Sequence, residues 1–311
     1  ADSTNGWIPT SDIAVADEPI SITQKAIFAY GSTGSNVSMS NLVNSSGVIA
    51  SDVSGVGTAR YGLAAATYGD DKAIFAYGTT GSVSSLSNLV SSSGVVATDT
   101  SGVGSARFGL AAAGYGGDKA IFGYGTTGSR VSLTNLVSNS GVVGSDVTGV
   151  GTARSYLTAA GYGYDKAIFG YGSSVDGEGI LVSMTNLVTN AGVVGSDVSG
   201  VGTARTQLAA AKYGTDTAIF AYGYTSGAVS MSNLVNNSGV VASDVSGVGT
   251  ARWALAATGY GGDKAIFAYG NTGSVTAVSN LVNSSGVVAS DVTGVGTARD
   301  TLEAAGYSAS A

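Results

Sequence analysis

The sequence predicts an all-β fold: a six-bladed β-propeller with four strands per blade, closed into a ring when the C-terminal strand joins the first blade. Three observations carry this. First, one unit recurs six times. The phenylalanine of an Ala-Ile-Phe triplet stands at Phe28, Phe75, Phe122, Phe169, Phe220 and Phe267, at intervals of 47, 47, 47, 51 and 47 residues, and a fixed period of this size marks a repeat architecture. Second, each unit holds four segments of four to seven residues, too short for stable helices and separated by glycine- and serine-rich turns. Third, six copies of four segments make 24 strands, which fill six blades with none left over.

In chain order, residues 1–24 stand outside the repeat. They hold both prolines (Pro9 and Pro19), Trp7 and four acids, and read as an N-terminal arm preceding a propeller over residues 25–311. The repeats then bring segments of the type AIFAYG, VSMSNLV, GVVASDV and, after GVGTAR, LAAAGYG. Three of the four are rich in Val, Ile, Phe or Tyr, as strands are. The fourth is alanine-rich, and alanine favours helix in isolation, but glycines bound it closely and small side chains suit a crowded strand. Ala26 to Phe28 has no alanine-rich segment before it, and Leu302 to Tyr307 has no Ala-Ile-Phe after it. The last strand therefore completes the first blade. An open solenoid would instead leave flat strand edges exposed at both ends.

Composition narrows the function. With 13 basic and 20 acidic residues the net charge is −7, which argues against nucleic acid as a partner because phosphate binding needs a positive surface. No run approaches the roughly 18 apolar residues of a membrane helix, so membrane insertion is not expected. There is neither histidine nor cysteine, which removes the commonest general base, thiolate chemistry and ordinary zinc sites. Glutamate occurs only at Glu18, Glu178 and Glu303, none of them a repeated position. No catalytic residues and no cofactor are expected.

Most charges are locked to the repeat. Arg60, Arg107, Arg154, Arg205, Arg252 and Arg299 end the GVGTAR motifs (GVGSAR at Arg107), and Asp52, Asp99, Asp146, Asp197, Asp244 and Asp291 precede them by eight residues. Six arginines gathered without partners would be costly, so these rings read as buried Arg–Asp braces between strands or blades in preference to ligand sites. A second acidic set, Asp71, Asp118, Asp165, Asp216 and Asp263, is followed by lysine except at Asp216, where Thr217 stands. Those lysines are expected to reach solvent.

The order arginine, small-residue strand, glycine turn and apolar strand ending in glycine is carried by Arg107, Leu110 to Ala113, Gly116-Gly117 and Ala120 to Gly125. It resembles the kelch-type propeller repeat over residues 25–307. It departs from it in having Tyr124-Gly125 for the kelch double glycine and no tryptophan near the blade end. The wording GVVASDVTGVGTAR and LAAAGYGGDKAIFGYG also resembles stretches of structural and tail-associated proteins of tailed bacteriophages. That resemblance implies a virion-associated, non-enzymatic role and localisation on a virion or extracellular surface, with other virion or surface proteins as partners.

Positions where the six copies disagree are the better guide to function. The two residues after each arginine vary: Tyr61-Gly62, Phe108-Gly109, Ser155-Tyr156, Thr206-Gln207, Trp253-Ala254 and Asp300-Thr301. Sitting at one point of the repeat, they are expected to share one face of the ring. Tyr61, Phe108, Tyr156 and Trp253 are the candidate binding residues, since exposed aromatics mark partner surfaces; packing beneath a neighbouring loop is the other reading. The one insertion lies within residues 173–181, where Asp176 and Glu178 form a weak candidate for calcium; a solvated loop tip is the plainer reading. Arg130 and Lys212 are basic residues off the repeat pattern. Together these features predict a non-catalytic interaction or structural protein used for attachment or assembly. The alternative is a lectin with several weak inter-blade sites strengthened by avidity, its ligand a host surface glycan.

Overall fold

The computed structural model describes residues 23–174 and 179–311. Most of the arm, and the Asp176/Glu178 calcium candidate, therefore lie outside the described residues. The described residues form six three-stranded antiparallel sheets and no helix. Sheet one joins Lys25–Ala29 to Ser40–Val43 on one side and Glu303–Tyr307 on the other. Sheet two is Ala64–Tyr68, Lys72–Ala76 and Ser87–Val90; sheet three is Ala111–Tyr115, Lys119–Gly123 and Thr134–Val137. Sheet four is Thr158–Tyr162, Lys166–Gly170 and Thr185–Val188; sheet five is Ala209–Tyr213, Thr217–Ala221 and Ser232–Val235. Sheet six is Ala256–Tyr260, Lys264–Ala268 and Ser279–Val282. Each Ala-Ile-Phe strand is central in its sheet.

The alanine-rich strands touch one another in sequence, and Glu303–Tyr307 touches both Ala256–Tyr260 and Ala64–Tyr68. The six sheets are thus set around a common axis in a propeller-like arrangement. Small side chains are what let six strands converge there. In sheet one the register runs from Lys25↔Tyr307 to Ala29↔Glu303, so the two ends of the repeat region share a sheet.

Six apolar clusters fill the spaces between neighbouring sheets. Tyr30 and Ala305 of sheet one meet Phe75 and Val90 of sheet two, and the series continues until Ile266 and Tyr269 of sheet six meet Phe28 and Val43 of sheet one. The central strands are packed from both faces, which explains why they read as continuous apolar runs without alternation. Each cluster holds a tyrosine against the next sheet's phenylalanine, from Tyr30–Phe75 at 5.5 Å between ring centres to Tyr269–Phe28 at 5.5 Å.

Three strands per sheet corrects the expected four. The GVVASDV segment lies beside the outermost strand but meets it only at isolated points, Val43↔Ile49 and Ser40↔Val53 in sheet one. Between those points four steps along the segment span three along the strand, so one residue bulges out and the ladder breaks. The Asn41 side chain fills the gap by donating to the Ala50 carbonyl at 3.0 Å. The same pair of bridges recurs in the other five units.

The Tyr-Gly pair that ends each central strand also has a physical reason. Tyr30, Tyr77, Tyr124, Tyr171, Tyr222 and Tyr269 all have φ of 63–66°. This left-handed conformation costs an L-residue about 1–2 kcal/mol, offset here by complete burial of each ring. The following glycine is constrained harder. At Gly78, φ is 97° and an added Cβ would lie 2.8 Å from the Tyr61 carbonyl oxygen.

Candidate functional site

Each repeat builds one buried charged node at the junction of two sheets. Arg60 has no exposed surface. Its Nε donates to the Tyr77 carbonyl at 2.8 Å, Nη1 to the Thr58 carbonyl at 3.1 Å and Nη2 to Asn88 Oδ1 at 2.7 Å. The guanidinium stacks on Tyr30 of the preceding sheet, 4.4 Å from the ring centre. The carboxylate beside it is Asp99, at 3.8 Å. Thr58 holds Asp99 through both its amide and its hydroxyl, and Asn88 Nδ2 donates to it at 2.9 Å. Burial alone would raise the Asp99 carboxyl, but these hydrogen bonds and the Arg60 charge hold it below the ordinary range. Burial pulls Arg60 down, with Tyr30 and Asp99 opposing; a guanidinium stays charged regardless.

The aspartate of each node comes from the following repeat, because the GVGTAR linker has already crossed to the next sheet. Arg107 faces Asp146, Arg154 faces Asp197 and Arg205 faces Asp244, at 3.8–4.0 Å. Arg252 acts on Asp291 and Arg299 on Asp52. The last of these spans the seam between chain ends, where Arg299 Nη2 also donates to Asn41. Two nodes are less complete: Arg154 Nε and Asn280 Oδ1 are buried without partners. The lysines that follow the second acidic set are partly exposed: Lys72 pairs with Asp71 at 2.7 Å with both side chains partly exposed.

Two rings of backbone hydrogen bonds hold the ends of the inner strands. At one end the second residue after each arginine donates its amide to its counterpart in the preceding sheet. Gly109 donates to Gly62, Tyr156 to Gly109, Gln207 to Tyr156, Ala254 to Gln207, Thr301 to Ala254 and Gly62 to Thr301, at 2.7–3.0 Å. All six residues have left-handed φ of 48–61°. At the other end Gly69, Gly116, Gly163 and Gly214 donate to the carbonyls of Asp118, Asp165, Asp216 and Asp263. Ser308 donates to Asp71 and Gly261 to Gln24. Gln24 thus takes the place that an aspartate holds elsewhere, and Thr23 and Gln24, which sequence assigned to the arm, bond to this ring.

The left-handed ring sets out the variable pairs around one end of the axis. The residue before each ring member bridges to a strand-end residue of its own sheet, as in Tyr61↔Thr79, Phe108↔Thr126 and Trp253↔Asn271. Tyr61, Phe108, Tyr156 and Trp253 are all half-buried there. Gly62 and Gly109 leave room for neighbouring rings: a Cβ on Gly62 would touch Phe108 at 3.4 Å and one on Gly109 would touch Tyr156 at 3.3 Å. Phe108 and Tyr156 meet edge to face at 6.1 Å. Burial pushes the Tyr156 phenol up, with Tyr61 adding and Arg130 opposing. Arg130 donates to the hydroxyls of Ser155 and Ser173, both at 3.0 Å. Trp253 packs on Tyr224 at 5.3 Å, and next to it Asn271 donates to Asp300 at 2.7 Å. The face therefore has an aromatic arc over sheets two to four, an aromatic pair at sheets five and six, and a polar sector at the seam. Sequence reasoning missed Tyr224 and Asn271, whose signal was the same: both replace a Ser or Thr found in the other four units.

Among the described residues no cluster of three or more acidic side chains stands ready to hold a metal ion. No protein-family model matches the chain, and comparison with curated proteins gives no match.

Proposed function

We propose that this chain is a six-bladed, kelch-like propeller acting as a non-catalytic interaction protein, virion-associated and used for attachment or assembly. One observation carries the reading. The charges and amides that every repeat shares are used up inside the scaffold, whereas the variable side chains after each arginine are set out together at one end of the axis. A surface of half-buried Tyr, Phe and Trp with an arginine at its edge has the composition of a protein-binding patch. The resemblance of the repeat wording to structural and tail-associated proteins of tailed bacteriophages supports the virion setting.

A lectin is the second reading, favoured by the Tyr224–Trp253 pair beside Asn271 and Asp300, which combines a stacking surface with donors and acceptors. Affinity capture from virions or cell surfaces, run beside a glycan array, separates the two. Retention of a protein partner, lost in a Tyr61→Ala/Tyr156→Ala variant that melts within a few degrees of wild type, supports the interaction reading. Glycan retention abolished by Trp253→Ala moves the assignment to a lectin, and turnover of any glycoside sinks both.

A further inference from the structure

The inner strands carry small neutral residues almost throughout, with two exceptions. Four residues after each arginine they read Ala64, Ala111, Thr158, Ala209, Ala256 and Glu303; seven after it they read Thr67, Gly114, Gly161, Lys212, Gly259 and Gly306. One carboxyl and one ammonium thus break a sixfold pattern. Both line an axial cavity of about 190 Å³ to which the inner strands of all six sheets contribute. The cavity reaches the turns at Tyr164, Thr215 and Gly262 and stops short of the left-handed ring at the other end.

Neither charge has a counterion among the described residues. Burial pushes the Glu303 carboxyl up to about 8, opposed only by the neighbouring Ala304 amide. Residues 1–22 and 175–178 contain no lysine or arginine that could serve it. Lys212 lies toward the turns. Burial lowers its ammonium, opposed at a distance by Asp216 and Asp165. Three residues along a strand rise about 10 Å, so the two charges sit at different depths, on sheets one and five. Both side chains are half-buried against the cavity; a group drawn partly from water without a partner is costly in its charged form, and each gains from a ligand of opposite sign through a charge-assisted hydrogen bond.

We infer that the axial cavity is a binding site for a linear ω-amino carboxylate, its ammonium end against Glu303, its carboxylate end toward Lys212 and its alkyl chain along the alanine methyls. A divalent cation fits less well, since it needs several oxygen ligands and a single carboxylate is offered. A purely apolar guest would leave the carboxyl and the ammonium without partners.

Titration calorimetry with 6-aminohexanoate tests this, with hexylamine and hexanoate as one-ended controls. Wild type is expected to bind the zwitterion at least tenfold more tightly than either control. Glu303→Gln and Lys212→Met are each expected to lower that affinity tenfold or more. No binding, equal binding of hexanoate and the zwitterion, or affinity untouched by both substitutions overturns the proposal. Should either variant fail to fold, the rise in melting temperature of the wild type decides: the zwitterion must stabilise it more than both controls.

Discussion

Arg205 and Glu303 stand two sheets apart; the first takes an ionisable group wholly out of water, the second leaves one half-buried against the axial cavity. Arg205 is fully buried, donates from all three nitrogens at 2.6–3.0 Å and stacks on Tyr171 at 4.4 Å. Glu303 faces the axial cavity with no ion-pair partner among the described residues. The first arrangement is repeated six times and the second occurs once. In a repeat protein, a charge whose role is structural is satisfied within each unit and copied with it. A charge left alone at a position where the other units carry neutral residues is the place to look for use.

The largest expected effect comes from breaking the repeated member. Arg205→Ala leaves the Tyr222 carbonyl and Asn233 buried without their donor, and Asp244 without its cation. By analogy with other buried pairs the cost is about 3–5 kcal/mol, read as a shift in urea midpoint at unchanged slope. A loss under 1 kcal/mol would mean that the nodes are ornamental and the contrast with Glu303 empty.

Glu303→Gln probes the other member, and its effect depends on pH. The carboxyl ionises near 4.5 unfolded and near 8 in the folded protein. Between those values unfolding releases a proton, so raising the pH favours the unfolded chain, by up to about 1.4 kcal/mol per pH unit. The stability that Glu303 permits is therefore fully present below 4.5 and declines until pH passes 8. Glu303→Gln should remove this slope and gain on the wild type from pH 5 to 8 in chemical denaturation. Parallel pH profiles for the two proteins would show that Glu303 is not withdrawn from water as described.

The smallest effect is expected at Lys72, whose pairing with Asp71 is partly exposed on both sides. Lys72→Ala should change stability by no more than about 0.5 kcal/mol, within the scatter of a careful thermal melt. A cost above 1 kcal/mol would show that the outer charges belong with the buried nodes.

Much of this was legible in the sequence. The period gave six units, the turn glycines gave the segments, and the unmatched ends Ala26–Phe28 and Leu302–Tyr307 gave their shared sheet. The Arg and Asp sets were legible as charges locked to the repeat, but not which aspartate meets which arginine. Asp52 precedes Arg60 by eight residues yet serves Arg299, because the linker between them passes from one sheet to the next. The bulge that ends the outer ladder depends on Asn41 replacing a backbone donor with a side-chain one, which no strand propensity records. The left-handed ring was hidden because Gly, Tyr, Gln, Ala and Thr share its six positions, and only Gly announces a positive φ. Glu303 and Lys212 were visible as departures from the repeat; what was missing was that both departures face the same axis.

The seam in sheet one has a consequence for the order in which the molecule is made. Sheets two to six pair strands within one repeat and can assemble as the chain emerges from the ribosome. Sheet one must wait for Glu303–Tyr307, synthesised more than 270 residues after Lys25–Ala29. Until then the left-handed ring lacks the bonds into and out of Thr301, and Arg299 has not reached Tyr269, Tyr30 and Asn41. Such distant pairing is slow to find, and an unclosed sheet six and sheet one leave their facing apolar sides open to any other chain nearby. The final strand thus acts as a latch: its arrival separates a half-made, adhesive chain from one in which sheet one is complete.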